Sequence, residues 1–318
     1  MFLLWLETYL IEKLKTWVDQ MTPLKIVPEN KEHWLKLRHN NINSTEVSSL
    51  YGCNPYQTEF ELYHIKRSED LHIIEENDAM KWGSRLQDAI AYGVAFDNGW
   101  KSIRPMKEYI YFNDVRLGSS FDFEVNGNEI LEIKNVSERV YAKSWTDEEA
   151  PPHIELQVQT QMLVSGHRKT YICALVGGNS VKIIERNYMP AVGESIFKKV
   201  KAFWARTTEP QIDFERDAEF IKMLHQETTK DKTIADDGRF LELATRYNKL
   251  QSDKSLAENQ MKAIQAEIFM LAGDAEKVKH EKFSLSLGQV KESFVEAHTR
   301  PARRNFRLTM RGADEKGQ

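Results

Sequence analysis

One segment, GSSFDFEVNGNEILEIKNV (118–136), constrains the fold of this chain more than any other stretch. Asn126-Gly127-Asn128 separates two β-rich runs, which is a strong signal for a β-hairpin. Because residues two apart on a strand share a face, Glu132 and Lys134 project together, and the turn can bring Asp122 alongside them. Charged side chains beside an apolar strand are costly unless they are paired or bind a metal. The segment therefore indicates either a metal site or a salt-bridge cluster on a solvent-facing edge.

The chemistry of these side chains favours a hard cation. Asp122 and Glu132 would form an oxygen-rich site suited to Mg²⁺ or Mn²⁺, and the backbone carbonyl of Ile133 could add a ligand. Lys134 could orient an attacking water there and offset the charge that builds on a phosphate. The two cysteines, Cys53 and Cys173, cannot supply a four-thiolate cluster or a zinc knuckle.

The runs around the hairpin predict an α/β core. A helix over 78–98 precedes three strands at 107–112, 116–125 and 129–136, and then come a helix near 154–164, two strands within 170–188 and a closing helix. This order predicts a central mixed β-sheet flanked by helices. We expect the core to span 31–215, with short helices and turns in its first part.

Two further regions flank this core. Residues 1–30 begin with an amphipathic helix whose leucines form one face. Within 216–318, apolar residues from Leu243 to Leu271 recur at heptad-like spacing, interrupted by Lys254, and predict a helical hairpin or a short coiled coil. This apolar stripe must pack within the chain, on another copy or on a partner. The strand segment near the C-terminus is rich in arginine between Arg300 and Arg311. These arginines could contact DNA phosphates, or their charge could block pairing of a strand edge with another sheet.

Composition narrows the class of protein. Hydrophobic residues make up 41% and charged residues 29% of the 318 residues, which is typical of a soluble globular protein. The net charge of −4 argues against a protein that coats DNA passively, but not against a nuclease with an acidic metal site. Neither a disulfide framework nor a secretory signal nor a membrane segment is predicted, so we expect a cytoplasmic protein, in a bacterial host if a phage or prophage encodes it.

Five segments occur in the order typical of one nuclease family. They are WLKLRHNNINSTEV (34–47), YGCNPYQTEFELYHIK (51–66), WGSRLQDAIA (82–91), SSFD with LEIKN (119–135), and IELQVQTQMLVSG (154–166). Together they resemble the lambda exonuclease/YqaJ-like viral recombinase family of the PD-(D/E)XK superfamily. Five motifs in one order are far more specific than any single motif. The resemblance implies a restriction-endonuclease-like core with a helical, partly coiled-coil C-terminal extension.

The resemblance also implies a role for each matching residue. Those of the metal and catalytic centre are Asp122, Glu132, Ile133, Lys134, Gln157 and Gln87. Those that would bind a substrate phosphate are Arg38, Thr45 and Ser120. The sequence departs from the family at Gln87, where the family has a glutamate ligand, and at Phe121, where it has a proline. Gln87 could still offer a neutral oxygen to a metal.

Several of these residues have simpler interpretations. Gln87 could be an ordinary surface residue, Arg38 an ion-pair partner, Thr45 a helix N-cap and Ser120 a turn cap. Glu124 shares a face with Asp122 and could be an additional acidic neighbour. Trp82 and Trp145 could stack on bases, although core packing or contact at the rim is the simpler interpretation for both.

The family resemblance implies a function and its partners. We expect a 5′→3′ exonuclease that acts on double-stranded DNA ends with two Mg²⁺ ions per site, or Mn²⁺ in their place, and leaves 3′ single strands for recombination. A homo-oligomer, commonly a trimeric ring, and a single-strand annealing partner are also implied. The alternatives are an endonuclease or repair nuclease on the same core, or a non-catalytic DNA-binding scaffold whose metal site has decayed.

Overall fold

The structure is a computed structural model, and it describes residues 22–71, 76–230, 232–235 and 238–289. The predicted N-terminal helix, up to residue 21, and the Arg-rich tail beyond residue 289 lie outside these residues. In the part that the structure describes, no helix combines the length and the apolar character that a membrane span requires.

The described residues contain eight α-helices, one 3₁₀ helix and eleven strands. The helices are α1 (Lys31–Asn40), α2 (Glu59–Ile65), α3 (Asp78–Asp97), α4 (Glu138–Ser144), α5 (Pro152–Ser165), α6 (Pro190–Ala205), α7 (Ala218–Leu224) and α8 (Arg239–Ala272), with a 3₁₀ helix at Val47–Tyr51. The strands are β1 (Leu24–Ile26), β2 (Ile42–Asn43), β3 (Ile103–Pro105), β4 (Tyr109–Phe112), β5 (Leu117–Ser119), β6 (Phe123–Val125), β7 (Glu129–Val136), β8 (Lys169–Val176), β9 (Ser180–Asn187), β10 (Lys277–His280) and β11 (Phe283–Ser286).

A five-stranded mixed sheet in the order β3-β6-β7-β8-β9 forms the centre of the core. Strands β7 and β8 run parallel, and the other neighbouring pairs are antiparallel. The predicted hairpin joins β6 to β7, and its turn residues Asn126 and Gly127 have φ values of 53° and 82°, which asparagine and glycine tolerate best. The predicted mixed sheet flanked by helices is therefore confirmed.

The predicted strand over 116–125 is wrong, because the chain forms two strands there in different sheets. β5 belongs to a four-stranded sheet in the order β1-β4-β5-β2, whereas β6 belongs to the central sheet. The hydroxyl of Ser119 lies 2.7 Å from that of Ser44 and donates to the carbonyl of Ser120 at 2.7 Å. These contacts turn the backbone between β5 and β6, so Asp122 lies in the crossing segment rather than within a strand.

Helix α5 is almost entirely buried within the core. Its residues from Gln157 to Val164 are all buried, and the apolar ones belong to two hydrophobic clusters. A helix that is buried on every side has no polar face, so its buried glutamines must find hydrogen-bond partners inside the protein. Those partners belong to the candidate site described below.

The compact unit that contains the central sheet extends to Phe220, beyond the boundary that we predicted at residue 215. Asp217 is fully buried, and its carboxylate accepts hydrogen bonds from the Thr58 hydroxyl at 2.5 Å and from the Asp213 N–H at 2.8 Å. The ring of Phe220 contacts those of Phe60 and His64. The sequence did not predict the hydrogen bonds of Asp217 to Thr58 and Asp213.

These contacts predict different stabilities for two truncated chains. A chain that ends after Glu215 loses the buried bonds of Asp217, each worth about 1.5–3 kcal/mol, and its Tm should fall by about 6 °C or more. A chain that ends after Lys230 retains them and should melt like the parent core. Thermal unfolding followed by circular dichroism measures the difference. Equal Tm values for the two chains would show that residues 216–220 do not belong to the core.

The predicted helical hairpin in the C-terminal region is wrong. α8 is one continuous helix of 34 residues, and none of its residues is buried. Much of the apolar stripe is exposed, with 59% of Leu250 and 60% of Met261 accessible. Heptad spacing identifies a helix from local sequence, but the burial of its stripe depends on what packs against it. The coiled-coil interpretation stays a prediction.

Candidate active site

Glu132 on β7 is held by three donors. Only 3% of its side chain is exposed. Its Oε1 accepts from Gln157 Nε2, and its Oε2 from Gln161 Nε2, each at 2.7 Å. Lys134 Nζ donates to the same Oε1 at 2.5 Å. These bonds compensate for the loss of water around a buried carboxylate.

Asp122 lies against the edge of β7, close to Glu132. Its Oδ2 accepts from the backbone N–H of Ile133 at 2.8 Å, and the amide of Gln87 on α3 also donates to it. Burial, and then the negative charge of Glu132, raise the pKa of Asp122 to about 7. A buried carboxylate whose charge is disfavoured by a second carboxylate forms, with it, a site that attracts a cation.

The carbonyl of Ile133 lies on the same side of β7 as Asp122. In a β-strand the N–H and C=O of one residue point to the same neighbour, and the N–H of Ile133 points to Asp122. Pairing between β6 and β7 ends at Leu131, so no residue of β6 pairs with Ile133. The carbonyl is therefore directed towards the segment that carries Asp122, where it could act as an oxygen ligand.

Lys134 projects on the same face as Glu132. Its Nζ donates to Glu132 Oε1 and, at 3.1 Å, to Gln157 Oε1, and 25% of the side chain is exposed. Burial lowers the pKa of this ammonium group, but the charges of Glu132 and Asp122 outweigh burial and hold the pKa above its usual value. Lys134 is therefore a charged hydrogen-bond donor rather than a base.

The donor set at this site fits a hard divalent cation. Within the described residues no group of three or more His, Cys, Asp and Glu side chains is gathered, so a cation held by two carboxylates also needs neutral oxygens. Ile133 and Gln87 can supply them. Gln161 Oε1 is buried with no hydrogen-bond partner, which costs about 1–3 kcal/mol, and a metal-bound water could satisfy it.

A second polar group adjoins the carboxylates through Ser120, two residues before Asp122. Trp34 Nε1 donates to the Ser120 hydroxyl at 2.9 Å. The indole can only donate, so the proton of Ser120 remains free for another acceptor. The Arg38 guanidinium lies 4.8 Å from the Trp34 ring centroid and donates to the Thr45 hydroxyl at 3.3 Å. Arg38, Thr45 and Ser120 therefore form one cluster, which we call the anion pocket.

The structure bears on the alternative roles of two pocket residues. Arg38 is half-buried and forms no ion pair with a described carboxylate. The N-cap of the 3₁₀ helix is Glu46, without a side-chain capping bond, so Thr45 does not cap it. The Glu46 carboxylate, which the charge of Arg38 stabilises, is already bound by Lys66, so the Arg38 guanidinium keeps donors for an external anion.

A buried ion pair between Lys66 and Glu46 holds the backbone that carries the anion pocket. Lys66 Nζ donates to the backbone carbonyl of Arg38 at 2.7 Å and lies 2.7 Å from Glu46 Oε2. Glu46 Oε2 in turn accepts from the backbone and side-chain amides of Asn43 at 2.9 and 2.8 Å. These bonds join the end of α1 to the segment that carries Thr45, and so hold Arg38 and Thr45 side by side.

Comparison with known proteins assigns the chain to a family. The YqaJ-like viral recombinase domain matches residues 33–168. The protein YqaJ of Bacillus subtilis is 30% identical over 251 residues, which cover 73% of this chain and 77% of that protein. The chain belongs to the YqaJ-like viral recombinase family. The predicted membership is thus confirmed, and the matched residues contain both the carboxylate site and the anion pocket of this YqaJ-like chain.

Solved structures with some similarity were also found. An alkaline exonuclease from Laribacter hongkongensis is 18% identical with a TM-score of 0.48, over 61% of this chain and 97% of that one. A phage-related exonuclease from Haemophilus somnus 129PT is 10% identical with a TM-score of 0.40, over 60% of this chain and 99% of that one.

The structure of this YqaJ-like protein adds two residues that the sequence reasoning missed. Gln161 shares a face of α5 with Gln157, four residues earlier, and this spacing was the one available signal. Lys66 ends the second family-like segment, but nothing in the sequence marks it as buried. By contrast, the structure does not bring Glu124 or Trp145 into the site. Glu124 pairs with Arg104 at 2.8 Å and His167 at 3.1 Å, and Trp145 is a buried core residue.

Proposed function

We propose that this protein is a metal-dependent DNA nuclease. The observation that carries the proposal is the hydrogen-bonded group of Asp122, Glu132 and Lys134, adjoined through Ser120 by the half-buried Arg38. A cation-attracting carboxylate pair, a charged lysine and an anion pocket together match the needs of phosphodiester hydrolysis. Magnesium, with manganese as a substitute, is the cation that this oxygen donor set suits.

Each residue has a distinct task in this proposal. Asp122 and Glu132, with the Ile133 carbonyl and the Gln87 amide, would hold Mg²⁺, which when bound supplies Lewis-acid activation of water and phosphate. Lys134 directs its charged amine at the attacking water and at the charge that develops on the phosphate. Gln157 holds both Glu132 and Lys134 and so aligns the metal ligand with the amine.

The substrate that we propose is a double-stranded DNA end. The anion pocket brings together three donors, Arg38, Thr45 and Ser120, and such a group suits one terminal phosphate. Digestion from the 5′ end would leave a 3′ single strand, which fits a recombination role alongside a single-strand annealing protein. Two metal ions per site and assembly as a ring-shaped homo-oligomer, such as a trimer, follow from the family resemblance.

Digestion assays test this function directly. Linear duplex with 5′-phosphate ends should be degraded in the presence of Mg²⁺ and stay intact with EDTA, and covalently closed circular duplex should stay intact in both. Cleavage of the closed circle would identify an endonuclease. Absence of Mg²⁺- or Mn²⁺-dependent cleavage on every substrate, combined with retained DNA binding, would identify a scaffold and overturn the proposal.

Arg38 should set the preference for a 5′-phosphate. Charge-assisted hydrogen bonds contribute about 1.5–3 kcal/mol each, so the parent should degrade 5′-phosphorylated ends about 10- to 100-fold faster than 5′-hydroxyl ends. Arg38→Ala should bring this ratio close to one while slowing the 5′-hydroxyl substrate much less. Arg246→Ala, which removes an exposed arginine from α8, is the matched control. A parent enzyme with equal rates on both ends would exclude the pocket's proposed role.

A further inference from the structure

Three glutamines at alternate positions of α5 have different partners. Gln157 and Gln161, one helical turn apart, both donate to Glu132. Gln159 points elsewhere: it donates to the carbonyl of Asn187 at 2.9 Å and accepts from the N–H of Met189 at 2.9 Å. All three side chains are buried. The helix therefore presents one pair of amides to the site and provides an internal comparison residue beside them.

Gln161 makes a connection that Gln157 does not make. Its Nε2 donates to Glu132 Oε2 at 2.7 Å and also to the backbone carbonyl of Ser120 at 3.2 Å. Ser120 lies two residues before Asp122 in the segment that crosses between the sheets. One amide thus bridges the two chain segments that carry the carboxylates, β7 and the crossing segment.

The carbonyl oxygen of the Gln161 amide, by contrast, accepts no hydrogen bond. Gln161 Oε1 is buried with no hydrogen-bond partner, whereas Gln157 Oε1 accepts from Lys134. Gln161 as a whole is 1% exposed. This buried acceptor belongs to an amide that binds Glu132, so a water molecule that arrives with the cation would be a suitable donor for it.

We propose that Gln161 is a positioning residue for the metal site. It holds Glu132 and the segment of Ser120 and Asp122 together, and its free carbonyl oxygen would accept a hydrogen bond from a water that arrives with the cation. This inference rests on the proposed metal-dependent function and adds to it a residue that sets metal affinity. Residues that orient metal ligands typically change metal affinity by 10- to 100-fold when replaced.

The test compares Gln161→Met with Gln159→Met in the full chain. Methionine keeps the approximate length of glutamine but cannot make either hydrogen bond. Isothermal titration with Mn²⁺ should give a Kd about 10- to 100-fold weaker for Gln161→Met, and the parent value for Gln159→Met. The Mn²⁺ concentration for half-maximal cleavage should rise by the same factor in Gln161→Met, and the rate should recover at saturating Mn²⁺.

A second variant keeps the test usable if Gln161→Met does not fold. Gln161→Asn keeps a buried amide but is one methylene too short for both contacts, so it should weaken Mn²⁺ binding in the same direction. The gain in Tm on adding Mn²⁺ is measured for every variant. Parent-like Kd values in Gln161→Met or Gln161→Asn, or an equal loss in Gln159→Met, would overturn the positioning role while the nuclease proposal stands. A parent chain that binds no Mn²⁺ would overturn both.

Discussion

Lys134→Met should reduce the rate of DNA cleavage by roughly 10³-fold or more while leaving metal binding in place. The variant removes a charged donor that contacts Glu132 Oε1 and Gln157 Oε1 but retains the aliphatic chain. Glu132 then loses a competing cation, so its attraction for Mn²⁺ should stay the same or increase. Single-turnover cleavage at saturating Mn²⁺, together with Mn²⁺ titration by calorimetry, measures the two quantities separately.

The control for this variant is Lys182→Met. Lys182 lies on the same sheet, in β9, and pairs with the exposed Asp147 at 2.8 Å. Surface pairs of this kind contribute little, so the control should retain the parent rate and Kd. If Lys134→Met keeps a parent-like rate in a folded protein, the amine does not act on the phosphate. A parallel loss of Mn²⁺ affinity would indicate instead that Lys134 only shapes the metal site.

Local sequence signals predicted the part of the site that lies on one hairpin. An Asn-Gly turn and period-two spacing were sufficient to place Glu132 and Lys134 on one face, because both signals depend on neighbouring residues alone. The turn also predicted that Asp122 lies alongside them, as it does. The sequence could not show that Asp122 lies between two strands, because whether 116–125 continues as one strand depends on which sheet each end joins. The serine contacts that turn the chain there involve Ser44, which is 75 residues from Ser119.

The parts that sequence reasoning missed are set by packing in three dimensions. Helix α5 has no hydrophobic face to indicate which of its glutamines point to the sheet, because both sheets and α6 surround it. The burial of Lys66 follows from its bonds to the Arg38 carbonyl and to Glu46, which are 28 and 20 residues away in the sequence, so no local pattern predicts it. The same reasoning explains α8, where heptad spacing predicted a helix but not its exposure.

Asp122→Asn should lose cleavage by roughly 10³-fold or more and yet make the metal-free protein more stable. The carboxylate is disfavoured by burial and by Glu132, as its raised pKa records, and a neutral amide removes that repulsion. The side-chain oxygen of asparagine can still accept from the N–H of Ile133, and the Gln87 amide can rotate to accept from the new NH₂ group. The expected gain is at least about 1 kcal/mol, or about 3 °C in Tm.

The pH dependence of this gain in stability tests whether the raised pKa of Asp122 is its cause. A carboxyl group whose pKa is raised in the folded state binds its proton more tightly there, so it costs no stability below the unfolded pKa of about 4. Its cost grows as the pH rises from there to the folded pKa of about 7. In EDTA, the Tm advantage of Asp122→Asn over the parent should therefore be small at pH 4, increase up to about pH 7 and then level off.

With Mn²⁺ added at pH 8 the order of the two Tm values should reverse, because only the parent gains binding energy from the cation. A variant less stable than the parent in EDTA at pH 8 would mean that Asp122 is a structural residue, held by Ile133 and Gln87 for the fold rather than for a metal.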